Sequence, residues 1–211
     1  MELYTFFNSS AAYRVRIALQ LKGIAPSHQH VDLTKGEHLL PWYREITPLG
    51  LVPALVEDGR VLSQSLAIVE YIDERHPAPP LLPDDPFVRA LARAAALTVC
   101  CEIHPLQNMR VRKRLSALGL DDAAVETWRR DWITEGLEAL EAQVVHDGHV
   151  GDYLYGERPS LADICMVPQL YNARRFGCDL SGCPTLVAVD GRCLRDAAFA
   201  AAAPDQQPDA R

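Results

Sequence analysis

Two serines, Ser9 and Ser10, stand between the strand-like run "ELYTFF" and the helix-patterned "AAYRVRIALQLKG". A serine at such a junction caps a helix by accepting a backbone N–H. It also sets a hydroxyl beside the unpaired N–H groups of a helix start, where an anion is stabilised. A second junction of the same kind is Gln64-Ser65, ahead of "LAIVEYIDERH". There Ser65 reads as the N-cap, and its hydroxyl with the Gln64 amide could hold a carboxylate. Between the two lies Pro53, inside the strand-like "LVPALVEDG". Proline supplies no ladder donor, so it belongs on an edge, at a bulge or in a turn. A cis Val52-Pro53 bond would turn the Val52 N–H and C=O toward an extended, peptide-like ligand that pairs as an added strand.

The second half of the chain holds other chemistry. His104 and Asn108 are spaced i,i+4, so one helical face presents both, while Pro105 should kink or restart that helix. The plain alternative for His104 is a packing residue. Arg110, Arg112, Lys113 and Arg114 form a cationic run; most of such a run is a solvated face, but one or two members can bind a carboxylate. Arg174 and Arg175 pose the same choice. The six cysteines (100, 101, 165, 178, 183 and 193) show no CxxC pair. They read as reduced, mostly buried thiols, with no metal site. His28 and His30 share one face of a strand, a solvated edge rather than a metal site.

The elements that must position these residues change character along the chain. "ELYTFF", the first helix stopped by Gly23, and "SHQHVDL" make a βαβ unit, hence a parallel pair. Two short strands meeting at Asp58-Gly59 form a hairpin. "SLAIVEYIDERH" then follows as an amphipathic helix with apolar residues at 66, 68, 69 and 72. The order is β-α-β-loop-β-β-α. "PAPPLLPDDP", residues 77–86, has five prolines in ten positions and reads as a linker. Beyond it nearly every segment has helical period, up to a polar tail, "APDQQPDAR", expected to dock loosely. Domains are therefore expected at 1–80 and 87–211. Ser160 and Asp163 make a capping-box start for a late helix.

With 211 residues and 48% hydrophobic composition the chain can bury a sizeable core. A net charge of -7 gives no broad footprint for nucleic acid or anionic lipid. No window has the length of a membrane helix and no leader pattern opens the chain, so a cytoplasmic enzyme or binding protein is the expectation. If the first domain is thioredoxin-like, the start of the first helix, the Val52-Pro53 turn and the Gln64-Ser65 helix start converge. Together they make a groove for an extended, thiol-bearing, anionic tripeptide.

The strings "SSAAYRVRIALQLKG", "LVPAL", "QSLAIVEYIDE", "EIHPLQNMRV" and "SLADICMVPQLYNARRFGCDLSGCPTL" resemble the zeta class of glutathione transferases. The resemblance runs from about residue 2 to "QPD" near the end. It implies a glutathione transferase fold, with an α/β thioredoxin-like N-terminal domain and an all-α C-terminal domain completing the pocket. It also implies glutathione as cofactor, a small acidic substrate and a homodimer. The family's first serine falls on Ser9, whose hydroxyl would hydrogen-bond the glutathione thiolate, with Ser10 and Ala11 beside it. His38, the Val52 backbone, Gln64 and Ser65 match glutathione-holding positions. The family's "DIHP" acid and histidine become Glu102 and His104, followed by Asn108 and Arg110. Arg110 and Arg175 become the candidate carboxylate anchors.

The chain departs from the family's "RSSCSWR" at Asn8, Ala11 and Ala12. Asn8 can donate a hydrogen bond to a substrate but cannot neutralise a carboxylate. The implied reaction is cis–trans isomerisation of maleylacetoacetate, with maleylpyruvate as the alternative substrate. A transferase or dehalogenase of small α-halo acids and a non-catalytic glutathione-binding scaffold are the further alternatives.

Overall fold

A computed structural model describes residues 1–210. They form two compact units, Met1–Leu81 together with 194–210, and Leu82–Cys193.

In the first unit the strands β1 (Glu2–Thr5), β2 (Ser27–His30), β3 (Ala54–Glu57) and β4 (Arg60–Ser63) build one sheet in the order β2-β1-β3-β4. β1 runs parallel to β2, with Leu3 opposite His28, and antiparallel to β3, with Leu3 opposite Leu55. The helix α1 (Ser10–Leu21) makes the crossover, as the βαβ pattern requires. Asp58 and Gly59, at φ 51° and 74°, turn the β3–β4 hairpin. Positive φ at both central residues matches the strand twist, which is why an Asp-Gly pair sits there.

Alternation along β1 divides the unit into layers. Leu3 and Thr5 are buried, and Thr5 accepts a hydrogen bond from Arg16 of α1. Tyr4 and Phe6 pack instead with Val31, Tyr43 and Val52. α1 also packs against α3 (Ser65–Arg75).

Two features differ from the sequence reading. The expected loop after β2 contains a 3₁₀ turn, Glu37–Leu39, and a short helix α2 (Pro41–Ile46). Six residues are too few for a helical period to show; what fixes α2 is Tyr43, fully buried, whose hydroxyl donates to Leu51 C=O at 2.8 Å. The tail is the second difference. Residues 194–210 were expected to extend the helical domain and end loosely, whereas they pack with the first unit. Arg16 Nε donates to Ala202 C=O at 3.0 Å, Phe199 is fully buried, and Gln207 Nε2 donates to the Ala201 and Ala203 carbonyls at 3.0 and 2.9 Å.

The second unit is helical: α4 (Pro86–Leu97), a π-helical stretch Thr98–Ile103, α5 (His104–Gln107), α6 (Met109–Ala117), α7 (Asp122–Asp147), α8 (Leu161–Arg175) and α9 (Pro184–Cys193). The linker ends where Asp85 caps α4, accepting the Phe87 and Val88 N–H groups. Val125, Arg129, Ile133, Leu137 and Leu140 form the buried stripe of α7. Gly136 lies where a Cβ would come 2.4 Å from Ile103, so the π-helical stretch packs flush on α7. Glu141 of α7 accepts the Thr185 and Leu186 N–H groups, both at 2.9 Å, and so caps α9. The predicted capping box is present. Asp163 accepts from Ser160 N–H at 2.8 Å and Ser160 Oγ at 2.7 Å, and also from Leu154 N–H at 2.9 Å. The helix α10 (Ala197–Ala202) belongs to the tail packed on the first unit. No helix among the described residues is long and apolar enough to cross a membrane.

Candidate active site

The turn that leads into α1 is closed by Ser9 N–H donating to Phe6 C=O at 3.0 Å. Ser9 is the N-cap, in extended backbone, and its Oγ accepts the Ala12 N–H at 3.2 Å. The capping role predicted for it is therefore filled by a lone pair. Among the described residues no acceptor takes the Ser9 O–H proton, which remains available to an anion. Neither α1 nor α3 has an acidic residue in its first turn, so no side chain of either helix offsets the positive end of its dipole. Ser10 is buried and Ala11 half-buried. Asn8, half-buried one residue earlier, has a buried Oδ1 that accepts no hydrogen bond within the described chain. Polar atoms in that state mark where a water or a ligand belongs.

At the second helix start the expectation needs correction. Gln64, not Ser65, is the N-cap of α3, and no side chain caps that end. The Ser65 hydroxyl is engaged elsewhere: it accepts Arg14 Nη1 at 3.2 Å and so ties α1 to α3. Gln64 itself stands at φ 71°, ψ 115° with its side chain exposed. A non-glycine residue there stores strain of about 1–3 kcal/mol, and such strain clusters at ligand clamps.

His38, in the 3₁₀ turn, is 8% exposed. Gly50, at φ 60°, lets the following loop pass so close that a Cβ would sit 2.5 Å from His38 C=O. That loop delivers Val52, 8% exposed and packed beside Tyr43. The Val52–Pro53 peptide bond is cis. Burial raises the Tyr43 phenol well above its usual range, so it stays a neutral donor to Leu51.

In the second unit, α5 ends at Gln107 and Asn108 caps α6, accepting Arg110 N–H at 3.1 Å. Pro105 restarts the helix where it was expected to, in the first turn of α5. Asn108 stands in extended backbone, so it and His104 do not share one continuous helical face as expected, and yet Asn108 Nδ2 and His104 Nε2 meet at 3.5 Å. Glu102 is exposed on the π-helical stretch. Such stretches are often found at functional sites.

The structure separates the two adjacent arginines. Arg174 Nη2 lies 2.6 Å from Asp190, which is fully buried and whose carboxyl is pushed up by that burial while Arg174 pulls it down. Arg175 has no carboxylate partner among the described residues; its guanidinium lies 5.2 Å from the Phe176 ring, with Arg129 stacked on the same ring at 3.6 Å. Burial, with Arg112, Arg175 and Arg130 adding to it, lowers Arg129 to about 10. Arg112 and Arg129 both pair with Glu126, whereas Arg110 is exposed and without an ion pair among the described residues. Replacing Arg174 by Met should destabilise the protein by about 2 kcal/mol, because a buried carboxylate loses its cation. Arg175→Met should change stability by less than about 0.5 kcal/mol. Urea midpoints of the two variants check this contrast.

Sequence reasoning missed Arg14, Arg16 and Asp209. Arg14 and Arg16 are each 3% exposed inside α1. The signal was present: two arginines in "AAYRVRIAL", with no polar face for them to occupy, have to be buried and paired.

Residues 3–80 match the family model "Glutathione S-transferase, N-terminal domain", in accord with the thioredoxin-like sheet and crossover. Over 210 residues the chain is 44% identical to the maleylpyruvate isomerase of a Ralstonia species, covering 99% of each. Its fold superposes with a TM-score of 0.96, at 44% identity and 99% coverage of both, on the holo structure of maleylpyruvate isomerase, a bacterial zeta-class glutathione transferase. The maleylacetoacetate isomerase of Anaeromyxobacter dehalogenans, solved with bound dicarboxyethyl glutathione and citrate, gives a TM-score of 0.88 at 44% identity, with 100% of this chain and 97% of that one covered. The chain belongs to the glutathione transferase family, among its zeta-class maleylpyruvate and maleylacetoacetate isomerases.

Proposed function

We propose that the protein is a glutathione-dependent cis–trans isomerase of a maleyl keto acid, converting maleylacetoacetate to fumarylacetoacetate, with maleylpyruvate as the alternative substrate. The observation that carries this reading is the Ser9 cap. Its oxygen is engaged by Ala12 N–H, while among the described residues no acceptor takes its O–H proton. The strained Gln64 fits a ligand lying across the same helix starts. When bound, glutathione supplies a thiolate that adds reversibly to the maleyl double bond, so that rotation takes place about a single bond.

The residues of the chain do the rest. Ser9 donates its hydroxyl proton to the sulfur, and the α1 start adds its dipole; both favour the charged form of a thiol whose ordinary pKa is about 8.5. The Val52 backbone, Gln64, Ser65 and His38 hold the tripeptide, with Ser10 and Ala11 at the helix start. Glu102, His104 and Asn108 are the second unit's candidates for cofactor contact. Arg110 and Arg175 bind substrate carboxylates and stabilise the enolate charge that develops on addition, while Asn8 offers the substrate a hydrogen bond. Arg175 has no carboxylate partner among the described residues, whereas Arg174 is engaged with Asp190, and that contrast supports the choice. Six free cysteines suit a reducing, cytoplasmic setting. Exposed Phe87 and Leu97 are apolar surface that a second copy in a homodimer would cover. The reaction belongs to aromatic-ring catabolism, downstream of ring cleavage.

Two results follow. Gln64→Gly should leave folding stability within about 1 kcal/mol, since glycine accepts positive φ but is freer when unfolded. The same change should weaken glutathione binding in calorimetry by about tenfold, the worth of a lost side-chain hydrogen bond. The function itself is tested by following the ultraviolet absorbance of maleylacetoacetate and maleylpyruvate with and without catalytic glutathione. Turnover of at least one, and only with glutathione, is expected; turnover of neither contradicts the reading.

A further inference from the structure

The turn that carries Asn8 and Ser9 is gripped from outside on both sides of Phe7. Phe7 C=O accepts Arg16 Nη2 at 2.9 Å, and Phe6 C=O accepts Arg16 Nη1 at 3.3 Å. Phe7 N–H donates to Asp209 Oδ2 at 2.9 Å, across 202 positions of sequence. The other Asp209 oxygen faces His30 Nδ1 of β2 at 3.3 Å. Asp209 is delivered there by a docked strap: Gln207, 7% exposed, is held by the Ala201 and Ala203 carbonyls, and Arg16 also holds Ala202. One arginine thus binds the turn and the strap together, and one carboxylate closes the loop between them.

We propose that Asp209 is a positioning residue for Ser9: the C-terminal strap fixes the turn from which the thiolate-donating hydroxyl projects. The inference rests on the Ser9 reading above. Its physical basis is that a turn amide in a half-buried setting needs an acceptor, and a carboxylate makes a shorter, stronger bond than a neutral group. Ser9 lies two residues beyond that amide, in a turn closed by its own N–H. Loosening the Phe7 peptide therefore loosens the donor, and a donor displaced by about 1 Å no longer meets its charge.

The test uses the full chain with Asp209→Ala, Asp209→Asn, Ser9→Ala and the double variant. Two quantities are read: hydrogen exchange of the segment containing the Phe7 amide, and the pKa of the enzyme-bound glutathione thiol from its thiolate absorbance. Asp209→Ala should speed exchange about tenfold or more, raise the thiol pKa, and lower kcat/KM about tenfold at a near-unchanged KM for the maleyl substrate. Asp209→Asn, which keeps an acceptor oxygen, should recover most of each. In the Ser9→Ala background Asp209→Ala should leave the thiol pKa unmoved, because the two act through one group. Unaltered exchange, or additive effects of the two changes, overturns the proposal. If Ser9→Ala raises the thiol pKa and Asp209→Ala does not, this inference alone fails; if Ser9→Ala itself leaves it unmoved, the Ser9 reading falls with it.

Discussion

Replacing Ser9 by alanine should lower kcat about 100- to 1,000-fold, the usual cost of removing one donor aimed at a reacting anion. The bound thiol should become harder to ionise. A hydrogen bond to a charged group contributes about 1.5–3 kcal/mol, which at about 1.4 kcal/mol per pH unit is a rise of one to two units. Ser9 also caps α1, so the alanine variant loses about 1 kcal/mol of stability as well. Glycine separates the two effects, because it caps nearly as well as serine but carries no hydroxyl. Ser9→Gly should therefore be nearly as stable as the parent and as inactive as Ser9→Ala. Rapid kinetics, with thiolate absorbance read across pH, measure both.

The second large effect is structural. Asp163 is fully buried, and burial alone raises its carboxyl, while the hydrogen bonds from Leu154 and Ser160 oppose that rise. Truncating it to alanine leaves two buried N–H groups, those of Leu154 and Ser160, without an acceptor. At about 2 kcal/mol for each buried amide left unsatisfied, the loss is about 4 kcal/mol. Asp163→Asn keeps one acceptor oxygen and should lose about half as much. A lower urea midpoint with an unchanged slope is the expected signature.

Much of this architecture could be read from the chain, because its signals are local. The alternation of "ELYTFF", the Asp58-Gly59 turn, the proline-rich 77–86 and the Ser160/Asp163 box each act within a few residues, and each element appears where its pattern lies. The Ser9 cap was legible for the same reason. What escaped depends on partners far apart in sequence. Ser65 has every local mark of an N-cap, and only Arg14, 51 positions away, draws its hydroxyl off that duty. The tail is polar and rich in proline, yet it docks because the buried Arg16 and the Phe7 amide need acceptors that Ala202 and Asp209 supply. The choice between Arg174 and Arg175 likewise waits on Asp190 of another helix.

The central claim is that a borrowed thiolate adds and then leaves, so that glutathione is returned after every cycle. The measurement that reaches it most directly is a count of free thiol during the conversion of maleylacetoacetate, with substrate in large excess over glutathione. A thiolate that is returned predicts complete conversion to the trans product with the thiol count unchanged. Conversion that stops once the glutathione is consumed, with one thioether formed per substrate, would contradict it and make the protein a transferase.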